Sequence, residues 1–139
     1  MKDLKDISKV YFLGIGGIGM SALARYFNEQ GLSVKGYDKT SSPLTDKLMQ
    51  EGMDIHFDDD LTLLDKEADL VIYTPAIPQS HKQLNWYKEN GYELYKRSVV
   101  LGMISSNHYC IAIAGSHGKT TVSSMLAHIL NGAGGCIAF

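Results

Sequence analysis

Val10-Tyr11-Phe12-Leu13-Gly14-Ile15-Gly16-Gly17-Ile18-Gly19 runs from four apolar residues straight into a glycine-rich loop. Near the other end, Cys110-Ile111-Ala112-Ile113-Ala114 runs into Gly115-Ser116-His117-Gly118-Lys119-Thr120-Thr121. Each stretch has the pattern of a buried strand turning into a helix. A helix start offers unpaired N–H groups and a partial positive charge, so it suits a phosphate. Two such turns of different type point to a chain that holds two phosphorylated ligands.

Working outward from the first loop, Lys9 to Ile15 reads as a parallel strand buried on both faces. Gly16 to Gly19 forms the turn. Met20, Leu23, Ala24 and Phe27 then recur at helical spacing, and Gly31 supplies a stop. Ser33 to Tyr37 is a second strand, completing a right-handed βαβ unit. A helix starts near Pro43, with Leu44, Leu48 and Met49 as its apolar stripe and Gly52 at its end. Asp54 to Phe57 and Asp69 to Thr74 are further strands. Asp58-Asp59-Asp60 reads as a solvated turn that caps the Leu61–Leu64 segment. Pro75 and Pro78 impose an irregular loop. Ser80 to Asn90 is helical with Leu84 and Tyr87 inward, Tyr92 to Tyr95 is a fifth strand, and Val99 to Ile104 a short helix. His108 to Ala114 begins a new strand and Lys119 to Leu130 a new helix. The alternation predicts an α/β fold: a Rossmann-like, mainly parallel sheet flanked by helices, followed by one strand–P-loop–helix unit. The boundary falls at Ser105-Ser106-Asn107, giving domains 1–106 and 107–139.

In the first loop, Gly14 permits the tight turn, Gly16 lets the backbone approach a diphosphate, and Gly19 lets helix and strand pack closely. Asp38 lies about 20 residues on, at the end of the second strand, where dinucleotide folds read ribose hydroxyls. These residues alone would suit NAD or FAD. In the second loop, Lys119 can pair with β- and γ-phosphates and the Thr120 hydroxyl can coordinate Mg²⁺. The strict P-loop has a glycine where this chain has Ile113, so the loop is a variant. His117 adds a donor at its crown.

Gly14 to Ser21, Gly36-Tyr37-Asp38, Tyr73 to Pro78, Lys96-Arg97 and Ala112 to Thr121, taken together, resemble the Mur ligases of peptidoglycan synthesis. The resemblance covers essentially the whole chain. The members that load L-alanine match better than those that recycle the murein tripeptide. The resemblance implies that the first domain holds UDP-N-acetylmuramate. The amides of Gly16, Gly17, Ile18, Gly19 and Met20 would take its diphosphate. Asp38, with Thr40 or Ser41, would sit near the uridine, and Thr74, Pro75, Ala76, Ile77 and Arg97 would shape the other wall. It implies that Gly115, Ser116, His117, Gly118, Lys119, Thr120 and Thr121 hold ATP, with Lys119 and Thr120 catalytic and Thr120 on Mg²⁺. The implied reaction passes through an acyl phosphate that the amine of L-alanine attacks, with no covalent enzyme nucleophile. Family members have three domains, so the chain reads as an N-terminal fragment, inactive as a ligase by itself. Its P-loop segment is too small for a core of its own.

Two other readings compete: an NAD-binding Rossmann oxidoreductase or regulatory module, and a nucleotide-binding interaction domain without catalysis. The first accounts for residues 9–38 and leaves Gly115 to Thr121 unexplained. Composition bounds all three. The chain has 139 residues, 45% hydrophobic and 20% charged, with a formal net charge of -2. No global positive field favours nucleic acid. No apolar run approaches the roughly 18 residues that span a bilayer, and Met1-Lys2-Asp3-Leu4-Lys5-Asp6 is too charged for a signal-peptide core. Cys110 and Cys136 are the only cysteines, and a reducing cytoplasm fits them. Cys110 reads as a buried apolar residue of its strand. His56 and His81 read as satisfied or surface histidines, and Trp86 and Tyr87 as packing residues.

Overall fold

A computed structural model describes residues 3–134. They fall into two compact units that divide between Ile104 and Ser105, taken separately below. In the first unit the strands β1 (Lys9–Leu13), β2 (Ser33–Tyr37), β3 (Asp54–His56), β4 (Leu70–Tyr73) and β5 (Leu94–Lys96) pair in parallel. Their order is β3-β2-β1-β4-β5. This is the doubly wound arrangement, whose order reverses between β1 and β4 and opens a crevice at their carboxyl ends.

Alternation along β1 sets the two layers. Val10 and Phe12 face one cluster with Leu23, Ala24, Phe27, Leu48, Val100 and Ile104. Tyr11 and Leu13 face the other with Val71, Leu84 and Tyr87. A strand covered on both faces has no polar side to spare, which is why this run is apolar throughout. The first cluster receives α1 (Ile18–Glu29), α2 (Pro43–Gln50) and α4 (Arg97–Ser106), and the second receives α3 (Lys82–Glu89).

Several expectations need correction here. α1 starts at Ile18, inside the expected turn. In α2 Met49 is exposed, and Thr45 is fully buried beside Leu48. The stripe is therefore rotated toward the glycine loop, which Thr45 meets. α4 starts at Arg97 and runs to Ser106, longer than expected. The acidic turn divides its work. Asp60 caps the short 3₁₀ turn Leu61–Leu63 through Thr62 N, whereas Asp59 accepts from Lys82 N and Gln83 N at the start of α3.

In the second unit, the only helix among the described residues is α5 (Lys119–Gly132). The strand expected over His108 to Ala114 is not formed: this stretch is irregular, and no described residue beyond Lys96 joins the sheet. A strand exists only as one side of a hydrogen-bonded ladder, and apolar composition does not supply the other side. Cys110 is consequently exposed, against expectation. α5 has no buried residue, in keeping with a segment too short for its own core. Cys136 lies outside the described residues.

Candidate functional site

The glycine loop is built by the end of β1 meeting the end of β2. Gly14 N and Ile15 N both donate to the carbonyl of Tyr37, at 2.8 and 3.0 Å. Gly14 has φ +91°, and a Cβ there would overlap Thr74 Cγ2. No other residue type fits this corner without strain. Gly36 is held by close approach as well, since its Cβ would come within 2.9 Å of the Phe12 carbonyl.

Asp38 follows β2 and is half-buried. Its Oδ2 accepts from Gly16 N at 2.6 Å, and its Oδ1 from Lys39 N at 2.8 Å. A Cβ on Gly16 would sit 2.8 Å from Asp38 Oδ2 and 3.0 Å from Thr45 Cγ2. Gly16 thus has its amide occupied and its free side closed. Thr45 escaped the sequence reading, because threonine in a helix looks like a solvent residue. The available signal was local: Ser42 and Thr45 form a reciprocal capping box at the start of α2.

Gly17 is the N-cap of α1, and no side chain caps the helix. The first intrahelical bond is Ser21 N to Gly17 O, at 2.8 Å. The amides of Ile18, Gly19 and Met20 precede it and are left for an outside acceptor. Ile18 is 87% exposed, and the Met20 side chain is buried. Arg97, at the start of α4, lies against this turn. A Cβ on Gly19 would be 2.8 Å from Arg97 Nη1 and 3.0 Å from Cζ. Orphan amides and a guanidinium therefore converge at the switch point of the sheet, an arrangement able to hold a diphosphate.

The remaining expected residues are less concentrated. Thr74 N donates to Leu13 O, which extends the β1–β4 ladder, and Ile77 N donates back to Thr74 O. Ile77 packs on the core, while Pro75 and Ala76 are exposed. Ser41 is turned to α2, its Oγ donating to Asp46 at 2.9 Å, and Thr40 is exposed.

Away from the crevice mouth, His81 is the N-cap of α3. Its Nδ1 accepts from Leu84 N, and its ring is buried 4.5 Å from that of Tyr37. His56 Nε2 lies 2.7 Å from the hydroxyl of Tyr11, which donates to Gln83 Oε1 at 2.9 Å. Burial holds both imidazoles below the usual histidine range. Trp86 and Tyr87 pack as expected, Tyr87 in the core with its hydroxyl on Asp65 O, and Trp86 under Lys66. Among the described residues, no group of three or more acidic, histidine or cysteine residues could hold a metal ion.

In the second unit, Gly118 is the N-cap of α5 with φ +77°. The first intrahelical bond is Val122 N to Gly118 O, so the amides of Lys119, Thr120 and Thr121 precede it. Lys119 Nζ donates to the carbonyl of Gly115, which folds the ammonium back over the loop. Gly115 to Thr121 are all exposed. Unpaired amides, an ammonium over the loop and a hydroxyl residue at the helix start fit a nucleoside triphosphate with its Mg²⁺.

The model of the Mur ligase family, catalytic domain, matches residues 9–109. The chain is 54% identical over 143 residues to a UDP-N-acetylmuramate–L-alanine ligase of Cytophaga hutchinsonii, covering 99% of this chain and 31% of the relative. It is 46% identical to that of Christiangramia forsetii, covering 96% of this chain and again 31% of the relative. Among solved structures, it matches the UDP-N-acetylmuramate-alanine ligase MurC of Thermotoga maritima at TM-score 0.80 and 30% identity, over 88% of this chain and 29% of that one. It also matches the UDP-N-acetylmuramate:L-alanyl-gamma-D-glutamyl-meso-diaminopimelate ligase of Neisseria meningitides at TM-score 0.81 and 29% identity, over 92% of this chain and 40% of that one. The chain thus spans about 31% of the length of the curated relatives it matches.

Proposed function

The chain belongs to the Mur ligase family, and on that premise we propose that residues 1–106 bind UDP-N-acetylmuramate and residues 107–139 open an ATP-binding domain, in an enzyme that joins L-alanine to the sugar's lactyl carboxylate. The observation that carries this reading is the 54% identity across 99% of the chain to a ligase of that specificity. The geometry supports it independently. The amides of Ile18, Gly19 and Met20, with Arg97 beside them, suit the diphosphate of a UDP-sugar at the mouth of β1 and β4.

A carboxylate is a poor electrophile, and ATP supplies the phosphoryl group that activates it toward the amine of L-alanine. The protein's own contribution is placement and charge. Lys119 and the amides of Lys119 to Thr121 hold the triphosphate, and Thr120 offers its hydroxyl to Mg²⁺. Arg97 and the first turn of α1 fix the sugar nucleotide by its diphosphate, remote from the reacting carboxylate. Binding energy gathered there orients the reacting end.

Among the described residues, no helix is long and apolar enough to cross a membrane. We assign the protein to the cytoplasm, where its nucleotide substrates and the free, exposed thiol of Cys110 are at home. The relatives found are ligases, and the NAD-dependent alternative draws no support from them. Calorimetric titration tests the reading. UDP-N-acetylmuramate should bind and be displaced by UDP, with no binding of NADH. NADH binding that UDP does not displace would overturn it.

A further inference from the structure

The acid at the end of β2 is engaged by the fold itself. In a dinucleotide site that carboxylate accepts from ribose hydroxyls of the ligand. Here both oxygens already accept from backbone amides, Oδ2 from Gly16 N at 2.6 Å and Oδ1 from Lys39 N at 2.8 Å. The residue's own backbone is fixed too, since Asp38 N donates to His56 O at 3.1 Å. A side chain on Gly16 would meet both the carboxylate and Thr45 Cγ2, so only glycine brings its amide this close to Asp38.

We propose that Asp38 is a positioning residue that clamps the glycine loop through the Gly16 amide, so that the loop presents the Ile18, Gly19 and Met20 amides to a diphosphate while the ribose is read elsewhere. The proposal rests on the UDP-sugar reading for the identity of the ligand, and on the two hydrogen bonds for the clamp. A bond between an amide and an ionised carboxylate is among the stronger ones available to a loop. It ties the end of β2 to a segment that otherwise has only the Tyr37 carbonyl as its anchor on that strand. It also removes Gly16 from the donors offered to the ligand, which moves the anion toward Arg97.

The test compares two probes that differ in the nucleoside, UDP and inorganic pyrophosphate, on the ¹⁵N-labelled 139-residue chain and its Asp38→Asn and Asp38→Ala variants. In the parent, the Gly16 amide should resonate downfield and exchange slowly, while the Ile18 amide exchanges fast. Asp38→Ala should abolish the Gly16 signature and weaken both probes by the same factor, about tenfold. Asp38→Asn, which keeps one acceptor, should recover part of both. A loss confined to UDP, or no loss with either probe, overturns the proposal, as does a fast-exchanging Gly16 amide in the parent. The last measurement decides even if Asp38→Ala fails to fold. A parent that binds neither probe sinks the UDP-sugar reading and leaves the Gly16 resonance to judge the clamp.

Discussion

Gly19 and Arg97 occupy one another's space: a Cβ on Gly19 would stand 2.8 Å from Arg97 Nη1. The sequence reading gave Gly19 the task of letting α1 pack against its strand. In the structure the missing side chain makes room for a guanidinium over the first turn of the helix. Gly19→Ala should therefore push Arg97 aside and weaken UDP binding about tenfold, the loss of one charge-assisted hydrogen bond. Folding should hold or improve, because alanine is better than glycine in a helix by about 1 kcal/mol. Arg97→Ala should weaken binding similarly, and the double variant little further. Additive losses in calorimetry would show that the two act separately.

Gly14→Ala tests the corner rather than the ligand. It places a side chain at φ +91° and against Thr74 Cγ2. Strain and overlap together should destabilise the first unit by about 2–4 kcal/mol in urea unfolding. Adding Thr74→Ser removes the methyl and should restore part of the loss, leaving the backbone strain. No recovery in the double variant would locate the whole cost in the dihedral angle.

Acid should weaken the fold through His81 and His56. For His81, burial lowers the pKa most; the Asp59 carboxylate, 3.3 Å from Nδ1, offsets part of this, and His56 adds to the lowering. For His56, burial again leads, against the Asp58 carbonyl and nearby carboxylates. Both rings are thus neutral in the fold at pH values where the unfolded chain, with histidine pKa about 6.5, already takes up protons. The unfolded state binds more protons in that window, so stability is complete above about pH 6.5 and falls as pH drops through the lowered values. His81→Asn keeps a good helix cap and should flatten this slope in unfolding midpoints taken from pH 8 to 5. An unchanged slope would assign the titration to other groups.

Lys119→Ala separates nucleotide binding from folding. The side chain is exposed and donates to the Gly115 carbonyl. Unfolding of the chain should be unaffected. Affinity for ATP with Mg²⁺ should drop at least about tenfold with the loss of the ammonium from the phosphates. Equal ATP binding by parent and variant in calorimetry would remove the second loop from the nucleotide site.

Much of this was legible from residue order. Runs such as Val10 to Leu13 and Leu70 to Tyr73 announce strands buried on both faces, and the glycines after them announce turns. Other features depend on neighbours that sequence spacing cannot supply. Whether Met49 or Thr45 faces inward depends on what covers α2, and the glycine loop covers Thr45. Whether His108 to Ala114 is a strand depends on a partner, and none is present among the described residues. The link from Asp38 to the glycine loop escaped the sequence reading for the same reason. Its position at the end of β2 was evident, but its bond to Gly16 exists only because β1 and β2 pair side by side.

What residue order determined was the succession of strands and helices, the two phosphate-seeking turns and the kinship to the ligases, since these rest on local pattern and close spacing. Tertiary structure alone decided which donors remain free. Gly16 lost its amide to Asp38, Ile18 to Met20 kept theirs, and Arg97, just after the edge strand β5, came to lie on Gly19. Hydrogen bonds and steric exclusion act between atoms a few ångströms apart, and residues separated by dozens of positions reach that range only through the fold.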